Sequence, residues 1–175
     1  CDEYQEKAAL LRCATEKGDS EQFDTAILKL KESGKGKKYD CIIGLSGGVD
    51  STYVAYLLTK NGVRPLAVHL DNGWNSELCV KNIERTVQIL DIPLYTHVID
   101  WSEFKDIQLS FFKASLSNLE APTDHAINAI LFKLAEKYKL KHIVSGGNIA
   151  TESIMPKYWG SDNKDLKHIK AVHKR

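Results

Sequence analysis

The sequence predicts an α/β fold in which a parallel sheet carries helices on both faces, preceded by a helical appendage. Three observations predict it. Short apolar runs alternate with amphipathic runs from Tyr39 onward, the first apolar run enters a Gly-Gly turn that opens into a helix-like stretch, and turn-forming residues follow the strand-like runs at their carboxyl ends. Such alternation needs right-handed crossovers between parallel strands. Ligands of such sheets sit beyond the carboxyl ends of the strands, where strand order reverses.

Residues 2–33 have helical spacing in two pieces, Ala8, Leu11 and Ala14 first, then Phe23, Ile27 and Leu30, with Lys17-Gly18-Asp19-Ser20 as a break. Gly34-Lys35-Gly36-Lys37-Lys38 reads as a flexible, solvated basic linker, so the helical segment is placed at 1–38. Tyr39 to Leu45 is the first strand. A helix with Val54, Leu57 and Leu58 on its apolar face then starts near Asp50 or Ser51 and ends at Asn61-Gly62. Arg64 to Leu70 is the second strand, broken in apolar character by Pro65 and His69, as expected of a strand covered on both faces. Val80, Ile83, Val87 and Leu90 mark the next helix, with Asn75-Ser76 as its cap, and Ile92 to Ile99 the third strand. Another helix has Phe104, Ile107, Phe111 and Leu116 on its apolar side. Pro122 to Tyr138 is the clearest helix, with Ile127, Ile130, Leu131, Leu134 and Tyr138 on one stripe. Lys141 to Val144 is the fourth strand and ends in Ser145-Gly146-Gly147-Asn148. The α/β unit is thus placed at 39–160, and Leu166 onward starts a helical segment within 161–175.

Composition excludes several classes. With 43% hydrophobic and 27% charged residues in 175, the chain has ordinary globular character and can bury a real core. Lys and Arg number 24 against 23 Asp and Glu, so no basic field argues for nucleic acid. No apolar run approaches membrane-spanning length and no signal segment opens the chain, which predicts a cytoplasmic enzyme without membrane insertion. The four cysteines form no CxxC pair, so disulfide and closed zinc readings are weak. The start at Cys1 and the end within a helix-like pattern lead us to expect a fragment of a longer protein.

Chemistry concentrates in Leu45-Ser46-Gly47-Gly48-Val49-Asp50-Ser51. Adjacent glycines let the backbone approach a ligand and adopt positive φ, so several N–H groups can point into one concavity. The helix start adds free amides and the positive end of its dipole, and the Ser46 and Ser51 hydroxyls add two donors. A phosphate suits that concavity. The spacing fits neither a Walker A loop nor GxGxxG. Beyond the second strand, the backbone of Val68, His69 and Leu70 could bond an adenine edge, with Asp71 beside it, although a plain Asp-Asn-Gly turn explains Asp71 equally well. Gly146-Gly147-Asn148 forms a second glycine turn across the cleft, suited to the α-phosphate or ribose. Asp124 either complements a helix dipole or, with Asp50, holds Mg²⁺ or orients the attacking group. Glu152 can meet the acceptor or a proton in transit. Trp74, Trp101 and Trp159 all read as packing before stacking platforms, with Trp74 weighted higher because it follows a binding turn.

SGGVDS resembles the signature of the PP-loop ATP pyrophosphatases, which bind the β- and γ-phosphates and cleave ATP between the α- and β-phosphates. That resemblance implies a Rossmann-like fold of the PP-loop, adenine nucleotide alpha hydrolase-like kind. From Tyr39 to Gly160 the runs YDCIIGLSGGVDSTY, LAVHLDNGWNSE, APTDHAINAILFKLAEKY and SGGNIATESIMPKYWG resemble the N-acetyl sugar amidotransferases of bacterial surface polysaccharide (lipopolysaccharide, O-antigen) synthesis. This implies an ATP- and Mg²⁺-dependent enzyme that adenylates the acetamido oxygen of a nucleotide-linked sugar, after which ammonia displaces AMP to give an acetamidino group. It also implies a separate glutaminase subunit that supplies ammonia, and allows a homodimer. By matching position, Ser46, Gly47, Gly48, Asp50 and Ser51 would hold pyrophosphate and its metal, Gly146, Gly147 and Asn148 would lie near the nucleotide, and Glu152 near the sugar. Of the cysteine-rich opening expected of that family only Cys1 is found; either that segment was cut away, with Cys1 its remnant, or the subgroup lacks it, and a metal site there stays unassigned. Two other readings remain: a tRNA-modifying PP-loop enzyme of the thiolating or lysidine-forming type, and a nucleotide-binding sensor without chemistry.

Overall fold

The computed structural model describes residues 20–147 and 165–174. The first helical piece, Asn148, Glu152, Trp159 and the irregular stretch around them lie outside the described residues. Along the chain come α1 (Ser20–Gly34), β1 (Cys41–Gly44), α2 (Val49–Lys60), β2 (Pro65–Asp71), α3 (Glu77–Leu90), β3 (Leu94–Val98), α4 (Trp101–Lys113), α5 (Ala121–Lys137), β4 (Ile143–Val144) and α6 (Leu166–His173). All strand pairs are parallel and the spatial order is β3-β2-β1-β4. The chain therefore steps outward from β1 to β3 and returns to the other side of β1. The order reverses between β1 and β4, which places a ligand cleft at their carboxyl ends.

Alternation along β1 explains how the sheet is covered twice. Cys41 and Ile43 face a core that also holds Ala55 and Leu58 of α2 and Ile83 of α3, while Ile42 faces Ile130 and Leu134 of α5. The appended helix α1 joins the first of these cores through Ile27 and Leu30. A third cluster, Phe111, Ala121, Ile169 and Val172, ties α4, α5 and α6 together. Ser76 caps α3 by accepting the Cys79 N–H at 3.2 Å, and Asp100 caps α4 by accepting from Ser102 and Glu103.

Several local expectations are corrected. Helix α2 starts at Val49, earlier than Asp50 or Ser51, because Gly48 already has cap geometry. On α3, Val80 is exposed and Thr86 is buried in the inward stripe, where its hydroxyl donates to the Asn82 carbonyl at 2.7 Å. Strands β1, β3 and β4 are shorter than the apolar runs that foretold them, β2 keeps its length but is shifted by one residue to Pro65–Asp71, and β3 alternates half-buried and exposed residues as an edge strand does. The basic linker is pinned where a solvated coil was expected. The Arg64 guanidinium donates to the carbonyls of Lys37 (3.1 Å) and Gly34 (3.2 Å) and to the buried Asp40 carboxylate at 2.6 Å, which also accepts the Arg64 backbone N–H at 2.7 Å. Gly34 is fixed in kind as well, since a Cβ there would collide with Asp40. Among the described residues, no helix is long and apolar enough to cross a membrane.

Candidate functional site

The loop after β1 is shaped by close backbone packing. Leu45 N–H still donates to the Val68 carbonyl at 2.8 Å, keeping the chain in the sheet one residue past the strand. The chain then turns through Gly47 at φ +79°, a conformation that L side chains resist. Gly47 is doubly required, because a Cβ there would lie 2.5 Å from the Cys79 carbonyl oxygen of α3. Asn82, one turn further along α3, holds the same glycine by donating to its carbonyl at 3.1 Å. Gly48 caps α2 without a side chain, so the amides of Val49, Asp50 and Ser51 have no intrahelical acceptor and face outward at the positive end of the helix.

The second glycine turn closes on the first. A Cβ on Gly146 would lie 2.6 Å from Ser51 Cα and 2.7 Å from Ser51 N, so the end of β4 packs directly on the first turn of α2. This corrects the placing of Gly146 across a cleft: its backbone forms one wall with Ser51. Gly147 N–H is turned back to the Ser145 hydroxyl at 3.1 Å. The Ser46 and Ser51 hydroxyls, expected as free donors, contact each other at 3.2 Å, and Ser51 also donates to the Gly48 carbonyl at 3.2 Å. Two further bonds of this small network are 3.4 Å long, which is weak geometry that a phosphate oxygen can displace. Asp50 is exposed on the first turn of α2. One carboxylate beside a phosphate cradle fits Mg²⁺, which takes one or two protein carboxylates and completes its shell with phosphates and water.

The neighbouring strand supplies less than expected. Of the β2 backbone, Val68 C=O is taken by Leu45 and Leu70 C=O accepts from Asn75 at 3.5 Å. Alternation turns the Leu70 N–H toward the end of β1. His69 is buried, and its Nδ1 sits 3.2 Å from the Leu45 carbonyl, so its ring braces the loop. Asp71 Oδ1 accepts from Gly73 N–H (3.0 Å) and Asn75 Nδ2 (3.2 Å), which organises the turn. Buried Asn72 spans from Trp74 N–H at 3.1 Å to Thr123 Oγ1 at 3.5 Å, joining this turn to the start of α5. Asp124 follows Thr123 there. Partial burial, and then the nearby Glu120 charge, hold its carboxyl above the ordinary aspartate range.

Sequence reasoning missed three contributors. Asn82 gave no signal, since a helical Asn reads as surface. Cys79, one of four scattered cysteines, gave no signal either, yet its backbone abuts Gly47. The third is the repetition of Ser-Gly-Gly at 46–48 and 145–147, a legible sign that the ends of β1 and β4 are built to meet. Cys41 is inside β1, where burial, and then the adjacent Asp40, push its thiol up to about 12, out of reach of thiolate chemistry. A groove of about 610 Å³ also starts at Gly47 and Gly48 but runs down the outer face of α2 and α3 past Tyr53, Tyr56 and Ile89, away from the sheet edge where the phosphate amides point. Among the described residues, no group of three or more His, Cys, Asp or Glu could hold a metal by itself.

Comparison with known proteins agrees with this geometry. The family model for NAD synthase matches residues 25–175. A tRNA-specific 2-thiouridylase of Fusobacterium nucleatum is 29% identical over 119 residues, covering 63% of this chain and 34% of that protein. A tRNA(Ile)-lysidine synthase of Chlamydia pneumoniae is 34% identical over 94 residues, covering 51% of this chain and 28% of that one. The chain thus spans about a third of the length of the curated relatives it matches. The structure of a glutamine-dependent NAD+ synthetase from Acinetobacter baumannii, in complex with ADP, superimposes with a TM-score of 0.59 at 20% identity over 82% of this chain and 30% of that one, which establishes the shared fold. Matched over nearly its whole length and carrying SGGVDS on the turn between β1 and α2, the chain belongs to the NAD synthase family, within the PP-loop ATP pyrophosphatases.

Proposed function

We propose that this chain is the ATP-binding part of an AMP-forming amidotransferase that acts on a nucleotide-linked acetamido sugar. The observation that carries the reading is the cradle at the strand-order reversal: Gly47, Gly48 and the first amides of α2, walled by Gly146, with Asp50 at the rim. A donor set of this shape suits two linked phosphates and their Mg²⁺, so pyrophosphate is the natural leaving group. The acetamido oxygen attacks the α-phosphorus, the bond from that phosphorus to the bridging oxygen breaks, and pyrophosphate departs. Ammonia then adds to the activated carbon, a proton is lost, and AMP leaves with the former amide oxygen. Amide oxygen is otherwise a poor leaving group, and holding pyrophosphate firmly lowers the cost of the adenylate. In this reading Asp124, whose carboxyl is held above its usual range, takes part in proton movement, and Asn148 and Glu152 are assigned to the nucleotide and the sugar by resemblance alone.

The sugar acceptor rests on the runs APTDHAINAILFKLAEKY and SGGNIATESIMPKYWG, and the ammonia on a glutaminase partner in a cytoplasmic setting. The test supplies the full-length parent with Mg-ATP, ammonium and a panel of nucleotide-linked acetamido sugars, with products read by mass spectrometry. One sugar in which oxygen is replaced by NH supports the reading; an unchanged panel contradicts the acceptor class. Glutamine should replace ammonium only when a glutaminase is added, and turnover on glutamine by this chain alone would contradict the separate-subunit expectation.

A second reading is favoured by a specific observation. The curated relatives above are tRNA-modifying enzymes, and Cys79 lies beside Gly47. Under that reading the adenylated oxygen belongs to a tRNA base. AMP release that depends on tRNA and not on any sugar would select it.

A further inference from the structure

The phosphate cradle accounts for one end of the cleft, and the turn after β2 offers something else. Trp74 is 63% exposed and Trp101 43%, and their rings meet edge to face at 5.5 Å. Exposed indoles are usually free to rotate, but these two, one on the turn after β2 and one on the first turn of α4, are locked. Trp74 Nε1 donates to Oε1 of buried Gln108 at 2.8 Å, and its backbone N–H to buried Asn72 at 3.1 Å. Trp101 packs on buried Phe104 at 6.4 Å between ring centroids, and Gly73, which precedes Trp74 and has φ +80°, has the Trp101 ring 3.1 Å from where a Cβ would stand. With the Trp74 indole N–H already satisfied, what the Trp74 ring still offers to solvent is π surface. Beside it, Asp71 spends Oδ1 within the turn, while its second oxygen has no partner among the described residues. Five residues beyond Trp74, the Cys79 backbone touches the phosphate loop at Gly47, so the aromatic corner and the cradle are parts of one edge.

A fixed, exposed aromatic face next to a carboxylate acceptor at the end of the second strand is the chemistry of nucleoside recognition, a base stacking on the ring and ribose hydroxyls donating to the acid. We infer that Trp74, supported by Trp101 and Gln108, is a stacking platform for a nucleobase, with Asp71 taking the adjoining ribose. This deepens the proposed reaction and rests on it for the identity of the nucleotides: adenine of ATP, or the base of the nucleotide that carries the acceptor.

Nucleotide binding, read without turnover, tests the platform. With the full-length chain, saturation transfer from indole protons to base protons and quenching of tryptophan emission are followed for ATP, UDP, GDP and CDP in turn. Transfer to ATP alone assigns the platform to adenine, and transfer to one diphosphate alone assigns it to the carrier. Trp74→Ala should weaken binding of that nucleotide about tenfold or more, and Trp74→Phe, which keeps a ring, should stay within about threefold. Absence of transfer to every nucleotide, or a folded Trp74→Ala chain that binds all four as wild type does, would overturn the inference. The two claims separate cleanly. Stacking in a chain that never forms AMP keeps the platform and removes the reaction, whereas AMP formation with binding indifferent to Trp74 keeps the reaction and removes the platform.

Discussion

At the amino edge of β1, Asp40 is buried and receives the Arg64 side chain and backbone, while Arg64 also binds two carbonyls of the segment that leads in from α1. At the carboxyl edge, only a few residues along the same strand, the polar groups contact one another loosely at 3.2 to 3.4 Å and the helix amides are left outward. Glycine serves both edges for different reasons. Gly34 makes room for a side chain of the chain itself, whereas Gly47 and Gly146 bring backbone against backbone so that donors face a guest. One edge is closed by its own charges and stabilises the fold; the other is held by steric fit of backbone against backbone and leaves its helix amides outward, as the proposed phosphate site requires. Substitutions at the two edges should therefore part company, the carboxyl edge losing activity and the amino edge losing stability.

The largest effect is expected at the loop. Gly47→Ala meets both the positive φ and the Cys79 carbonyl, and Gly146→Ala meets the Ser51 backbone, so either should cut AMP formation about 1,000-fold or more in a chain that still folds. Initial rates of AMP release, with circular dichroism as control, check this. Asp50→Ala comes next. Loss of the rim carboxylate should lower turnover about 100-fold or more at unchanged melting temperature, and wild-type product formation would remove its metal role. The amino edge gives the opposite signature: Asp40→Ala should lower the melting temperature by roughly 5–10 °C while leaving the per-molecule rate of the folded protein near that of wild type.

The smallest effect is a pH dependence at Asp124. An acid whose folded pKa lies above its unfolded value binds more protons folded than unfolded between the two. Stability therefore falls as pH rises through that window and stays lowered above it. Asp124→Asn removes this slope, so the stability of the variant relative to the parent should rise with pH from the ordinary aspartate value of 3.8 upward and then level off. Parallel denaturant melts across pH measure it, and a difference independent of pH would contradict the assignment.

Much of this was legible in the sequence because local patterns and the fold agree. Val54 and Leu58, Ile83 and Val87, and the Ile127 to Tyr138 stripe gave the helices, and SGGVDS between a strand and a helix gave the cradle. What escaped depends on tertiary approach. Nothing local to Arg64 says that it binds back to Gly34 and Lys37, so a pinned segment read as a linker. Thr86 displaced Val80 from the buried stripe because its hydroxyl is satisfied within its own helix, which a hydropathy pattern does not register. The contacts of Cys79 with Gly47 and of Gly146 with Ser51 are backbone packing between distant segments, and only the repeated Ser-Gly-Gly hinted at them. The acceptor belongs to a different level of evidence: the fold and family point to ATP chemistry, and the sugar rests on motif resemblance alone.

Resolving the phosphorus products by NMR tests the central claim most directly, with the full-length protein, Mg-ATP and its acceptor under single-turnover conditions. Equal amounts of AMP and pyrophosphate, abolished by Gly47→Ala, are the predicted result. ADP and inorganic phosphate in their place would contradict it, because a cradle built for the β- and γ-phosphates as a leaving pair does not release the γ-phosphate alone.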